Sequence, residues 1–190
     1  GCEAEPPESV GDAALAVFDG PVDSLDTWTR AGGQAGALLG DCTAAAGDVN
    51  GDGFADLLVG SSAWDGAVAD EGAVWLHLGS ADGPVSPAGW ATAGEPGSSF
   101  GLGARGVGDL NGDGFDDIAV PARTWTDSLS EQGRVAVWFG GDAGPAVDPD
   151  WEVLGDVAGG HLGWSVAGVG DVNGDGFGDL LIGAPDRSNL

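Results

Sequence analysis

The chain of 190 residues has no methionine and no lysine, only five basic residues and two cysteines, and no apolar run long enough to cross a bilayer. Each absence removes something. Without methionine, Gly1 is not a translation start, and the chain is expected to be processed or part of a longer one. Five arginines against 31 acidic residues give a formal net charge of −26. Such a chain repels phosphate backbones and anionic lipid surfaces, so no nucleic-acid partner is expected. No stretch approaches the roughly 20 apolar residues of a membrane helix, so no transmembrane segment is expected. Two cysteines make no disulfide framework. The balance is that of an exported, acidic, soluble protein, and either a halophilic or marine source or plain solubility pressure accounts for it.

What the chain does have is one string three times. Gly-Asp-Val-Asn-Gly-Asp-Gly-Phe-x-Asp occurs at 47–56, 108–117 (with Leu110 for Val) and 170–179. Counted from the first aspartate, oxygen-bearing side chains stand at positions one, three, five and nine: Asp48, Asn50, Asp52 and Asp56; Asp109, Asn111, Asp113 and Asp117; Asp171, Asn173, Asp175 and Asp179. A calcium ion takes about six to eight oxygens at 2.3–2.6 Å, and a tight loop with alternating inward side chains supplies them from one segment. At position seven, Phe54, Phe115 and Phe177 are expected to offer a backbone carbonyl while the ring turns to the core. The loop glycines, such as Gly51 and Gly53, allow the sharp turn. Three carboxylates in one loop repel each other unless a cation joins them. Solvated Asp-Gly turns would explain one copy, but not three in fixed registry. An EF-hand is excluded because position twelve is Val59, Val120 or Ile182 rather than glutamate, and each loop runs into a short apolar strand. Nonapeptide β-roll repeats are excluded because the period is about seven times too long.

The repeat reaches well beyond the loop. Trp28, Trp90 and Trp151 align, as do Gly40, Gly101 and Gly163; Gly20, Gly79 and Gly140; and Gly11, Gly72 and Gly133. Residues 1–10 then form a disordered N-terminal tether, and 11–190 comprise three repeats, about 11–71, 72–132 and 133–190. The best-defined unit predicts strands near 100–108, 117–121, 134–140 and 150–155, with the cation loop joining the first to the second. Ala73-Val74-Trp75-Leu76-His77-Leu78 and Arg134-Val135-Ala136-Val137-Trp138-Phe139 have clear β character. Four-stranded antiparallel units at this period are propeller blades, so the fold class is an all-β propeller segment with calcium loops between first and second strands. Residues 12–32 read as the last two strands of a blade and 162–184 as the first two of another. Since propellers close with about four to eight blades, further blades are expected. They come from a longer chain, in a ring of about seven, or from a second chain completing the half blades in a six-bladed dimer.

With these residues in place, the chain resembles the FG-GAP repeats of the integrin α-subunit β-propeller and its bacterial relatives. The resemblance is carried by the loops, by Phe100-Gly101 (Leu39-Gly40 and Leu162-Gly163 in the other copies) and by Gly183-Ala184-Pro185, degenerate as Gly60-Ser61-Ser62 and Val120-Pro121-Ala122. It implies an extracellular or cell-surface, non-catalytic propeller stabilised by about three calcium ions, with the loop residues as metal ligands. It further implies adhesion or recognition of an extracellular protein or glycan. Two rivals remain open: an accessory portion of a secreted hydrolase or lyase, and a structural spacer.

Cys2, ahead of Glu3-Ala4-Glu5-Pro6-Pro7-Glu8, resembles the lipid-bearing cysteine of a bacterial lipoprotein, which would anchor the chain; an incidental tail and a Cys2–Cys42 bridge are the alternatives. Cys42, aligned with Gly103 and Ser165, is expected as a small buried thiol. Gly97-Ser98-Ser99-Phe100-Gly101 spells a nucleophile elbow and Gly101–Gly106 a dinucleotide fingerprint, yet neither opens a helix, and 38 glycines produce such strings by chance. His77 and His161 occupy non-equivalent repeat positions, as packing or surface residues do. Equivalent tryptophans (Trp28, Trp90 and Trp151; Trp64 and Trp125) are expected to pack between blades, and Trp75, Trp138 and Trp164 to lie on strands. Loops on the rim opposite the cation loops vary between copies, so a partner is expected at Trp64, Asp65, Arg123, Trp125 and Asp127, with packing as the alternative for the two rings.

Overall fold

Short runs of valine, leucine, isoleucine and alanine, each ended by glycine or another turn former, make twelve strands and no helix among the described residues. The computed structural model describes 12–13 (backbone only), 28–86 and 88–187. The tether at 1–10, Cys2 and all of 14–27 therefore lie outside the described residues.

Strands β1 (Asp12–Ala13) and β2 (Arg30–Ala31) form an antiparallel pair. Then β3 (Leu39–Gly47), β4 (Asp56–Ser61), β5 (Ala73–His77) and β6 (Trp90–Ala93) form one four-stranded antiparallel meander. A second is built from β7 (Arg105–Gly108), β8 (Asp117–Ala122), β9 (Arg134–Trp138) and β10 (Trp151–Leu154). Strands β11 (Ser165–Gly170) and β12 (Asp179–Gly183) pair alone. Two complete blades are thus flanked by two strand pairs, at the places where the repeat puts half blades. The other expected bounds agree to within two residues, but the strand expected from residue 100 starts at Arg105, because 100–103 form a turn that seats the Phe100 ring in the core at 3% exposure.

Burial explains why the second strands read as unbroken apolar runs. All six residues of β8 are buried, because the first blade covers one face and β11 the other, and so are five of six in β4. The outer β6 alternates half-buried and exposed, as a strand with one wet face does. The core lies between blades: Leu58, Val74 and Leu76 of the first meet Ile118, Val120, Ala136 and Trp138 of the second. A smaller cluster of Val107, Ala119, Val135, Val137 and Val166 joins the second blade to β11. Fully burying one such side chain contributes about 1.5–3 kcal/mol. The first strands β3, β7 and β11 pack side by side, so the loops that leave them emerge on one rim.

Candidate metal centre

Each of these three strands slips register as it reaches its loop, between Ala45 and Gly47, Gly106 and Gly108, and Gly168 and Gly170. The glycine at each slip has φ of 90°, 75° and 69°. This is a bulge whose left-handed glycine throws the chain out of the ladder, a conformation costly for any residue with a Cβ.

Beyond the bulge the loop folds onto its own carboxylates. Asp48 Oδ1 accepts the Asp52 N–H at 3.0 Å and Oδ2 accepts that of Gly53 at 2.9 Å. Asn50 Oδ1 accepts the same Asp52 N–H at 3.2 Å, while its amide donates to Asp52 Oδ2 at 2.9 Å. Asp52 Oδ1 accepts the Phe54 N–H. The second and third loops repeat the pattern through Asp109, Asn111 and Asp113 and through Asp171, Asn173 and Asp175. The backbone N–H of Gly176, with those of Gly174 and Asp175, holds the Asp171 carboxyl below the usual carboxylate range. Positions one, three and five are therefore gathered in every copy.

Position nine does something the sequence did not reveal. Asp56 and Asp117 are fully buried. Asp56 accepts the N–H of Val49 at 2.9 Å with one oxygen and that of Gly79 at 2.8 Å with the other; Asp117 does the same with Leu110 and Gly140 at 2.7 and 2.9 Å. Each carboxylate staples its loop to the glycine two residues past the third strand. The aligned Gly79 and Gly140 were the one available signal. Burial pushes both carboxyls up, against the pull of the two N–H groups, and the charges of Asp52 and Asp48, or of Asp113 and Asp109, push the same way. Asp179 accepts the Val172 N–H at 2.8 Å.

The rings at position seven do not enter the core. Phe54 and Phe177 are 41% and 49% exposed. Phe115 instead lies over Gly51 of the preceding loop, where a Cβ would stand 2.6 Å from its Cε1, and Phe177 lies over Gly112 at 2.9 Å. The expected inward turn fails because the core between blades is already filled by the second and third strands, leaving the rings to cover the neighbouring loop.

The donor set is entirely oxygen and comes from one short segment, which suits a hard cation better than a soft one. Among the described residues no three His, Cys, Asp or Glu side chains converge as a bound ion would require. Two contacts explain the geometry: the position-nine carboxylate faces backbone N–H groups, and the Asn amide nitrogen points at its neighbouring aspartate.

On the opposite rim, Asp65 and Asp127 are exposed, but the rings beside them are half-buried. Trp64 stands edge-on to Trp75 at 5.1 Å, and Trp125 packs on the larger core cluster under Arg134 at 5.7 Å. Arg123 lies over Trp164 at 4.6 Å. Trp164 itself precedes β11 in a bend rather than lying on the expected strand. Arg134 also bridges Glu95 and Glu152, both at 2.8 Å. His77 is buried, its Nδ1 toward Val85 O at 2.9 Å and its Nε2 against Arg30 at 2.6 Å; its pKa is lowered first by burial, despite the Val85 contact, and further by Arg30. Cys42 is the expected buried thiol, within 3.4 Å of Ala104 O, and burial pushes its pKa up. Gly97–Gly101 is a turn with no helix after it.

Comparison with known proteins places this architecture. The family model described as FG-GAP repeat matches residues 43–77, 106–138 and 162–189, spanning all three loops and about half of the chain. Among curated proteins, mouse integrin alpha-7 is 35% identical over 141 residues, covering 72% of this chain and 11% of the relative. Mouse integrin alpha-IIb is 34% identical over 186 residues, 90% of this chain and 18% of the relative. Xenopus laevis integrin alpha-4 is 29% identical over 184 residues, 94% and 17% respectively. The chain thus spans less than a fifth of the length of these relatives.

Proposed function

Because the chain belongs to the FG-GAP repeat family, we propose that it is an extracellular propeller segment whose three loops each bind one calcium ion, and whose blades serve adhesion or ligand recognition. The observation that carries the metal reading is the threefold recurrence of the gathered Asp-Asn-Asp set, joined in the first two loops by a buried aspartate whose ionisation is opposed by burial and by its loop neighbours. A divalent ion offsets that repulsion. Asp48, Asn50, Asp52, Asp56 and the Phe54 carbonyl would hold it in the first loop, and the equivalent residues of the second and third loops the others. The ion supplies charge neutralisation and rigidity, and the chain's own residues supply everything else.

The recognition reading rests on family membership and on the integrin relatives. No catalytic residue is assigned. For a partner protein or glycan the rim opposite the loops is the surface proposed, with Asp65 and Asp127 exposed and Arg123 half-buried over Trp164. Calorimetric titration of chelator-treated protein tests the metal reading: about three calcium ions per chain and a weak response to magnesium are expected, and no heat with calcium would overturn it. An array of cell-surface proteins and glycans tests the recognition reading, which fails if nothing binds calcium-loaded protein.

A further inference from the structure

The ten-residue string changes its chemical character at one place. Position eight of the loop is Ala55, Asp116 and Gly178 in the three copies, and in the second copy it reaches across to the first loop. Asp116 holds Asp48, position one of that loop, by both backbone groups. Its Oδ2 accepts the Asp48 N–H at 2.8 Å, and its own N–H donates to Asp48 O at 3.1 Å. The next residue, the fully buried Val49, is held from the same side: Gly141 donates to Val49 O at 2.9 Å, while the Val49 N–H goes to Asp56 of its own loop. Three of the four backbone groups of Asp48 and Val49 are therefore satisfied by the second blade. The approach is close. Phe115 lies over Gly51, and a Cβ on Gly140 would stand 2.5 Å from Asp116 O and 2.6 Å from Val49 O.

The joint between the second and third loops keeps the common part and lacks the clamp. Gly178 donates to Asp109 O at 3.0 Å and Phe177 lies over Gly112, but Gly178 has no side chain to receive the Asp109 N–H. The difference matters because of where the clamp sits. Asp48 turns the first loop by accepting the N–H groups of Asp52 and Gly53. Asp116 stands in the chain between Phe115 and Asp117, two residues that would hold the ion of the second loop. Ordering either loop thus fixes a residue that the other needs. The conformational freedom of the shared segment is lost once rather than twice, which is the condition for positive coupling without any added contact to the ion.

We propose that Asp116 is a positioning residue that couples the first two loops, so that calcium on either one tightens binding at the other, while the second and third loops are coupled less. The proposal rests on the calcium reading given above and deepens it. By linkage the gain is equal in both directions. The carboxylate serves as a hydrogen-bond acceptor for a backbone N–H, so an amide oxygen in its place should serve as well.

Calorimetric titration of chelator-treated variants measures the coupling. Asp113→Ala with Asp175→Ala leaves the first loop alone, Asp52→Ala with Asp175→Ala leaves the second alone, and Asp175→Ala leaves both. The overall affinity of the pair, divided by the product of the two single-loop affinities, is expected to show a gain of about fivefold or more. The second and third loops, measured in the same way from Asp52→Ala, should show a smaller gain. Adding Asp116→Ala to the first set should bring its gain down to that smaller value, whereas Asp116→Asn should preserve it. A readout free of calcium is hydrogen exchange in chelator: the Asp48 amide should lose protection in Asp116→Ala and keep it in Asp116→Asn. No gain in the Asp175→Ala protein, with calcium still bound, overturns the coupling and leaves the calcium reading standing; no heat from any variant overturns both. Coupling that survives Asp116→Ala, or that is lost equally in Asp116→Asn, overturns the role of this hydrogen bond. Comparing the two pairs needs no substitution at residue 116, so it decides even if Asp116→Ala fails to fold: equal gains overturn the proposal.

Discussion

Asp52, Asp113 and Asp175 each accept a backbone N–H and take the Asn amide of their own loop, so they sit where a cation would meet the gathered oxygens. Replacing Asp52 by Ala is expected to lower the melting temperature strongly in calcium and little in chelator. At calcium a hundredfold above the dissociation constant, the lost binding is worth up to about 2.7 kcal/mol per site. Equal losses in both buffers would show that the aspartate matters for the turn alone. His77 makes a second prediction. Its folded pKa is depressed, by burial and then by Arg30, so as pH falls below the ordinary imidazole value the unfolded chain takes up a proton that the folded chain refuses. Stability should then decline, by at most about 1.4 kcal/mol per pH unit until the folded pKa is reached. His77→Phe should flatten that part of the profile, and an unchanged slope in the variant would assign the decline to other groups. These residue identities were legible in the sequence, but the burial that sets their pKa directions was not.

At the scale of elements, the bulge, loop and second strand act as one device. The bulge glycine launches the loop, the loop carboxylates hold its turn, and the position-nine aspartate ties it to the end of the third strand. Asp117→Ala should strand two part-buried N–H groups, those of Leu110 and Gly140. At about 1–3 kcal/mol for each orphaned group, a loss of about 2–6 kcal/mol in denaturant unfolding is expected in chelator as well as in calcium. No loss in chelator would mean that Asp117 serves the metal only. This separates Asp117 from Asp52, although the same ten-residue string marks both as ligands. Strand positions were legible because apolar runs bounded by glycine leave little choice. The start of β7 was not, because Phe100-Gly101-Leu102 is apolar enough for a strand and only its neighbours decide that it turns.

At the scale of the molecule, packing between blades dominates, and it decides the role of the rim tryptophans. Trp125 lies under Arg134 and against the core, so Trp125→Ala is expected to cost stability, by about 3–5 kcal/mol if the site behaves as a buried one. Trp64, edge-on to Trp75, should show a smaller loss. A partner that weakens on changing Asp65 or Arg123, at unchanged melting temperature, would mark the binding surface. Full stability of Trp125→Ala would instead make that ring a candidate contact for the partner.

The sequence by itself determined the repeat, the all-β class, the place of the three loops and the oxygen donors within them. These are local matters, written in spacing and in glycines that only certain backbone angles require. The tertiary structure alone decided which partner each side chain meets. Phe54, Phe115 and Phe177 share the string Gly-Asp-Gly-Phe-x-Asp, yet among the described residues only Phe115 and Phe177 cover a neighbouring loop. Leu58 and Leu181 hold the same repeat position at opposite extremes of exposure. A position-seven ring finds its cover on a different repeat, so its environment depends on long-range packing that no single repeat encodes.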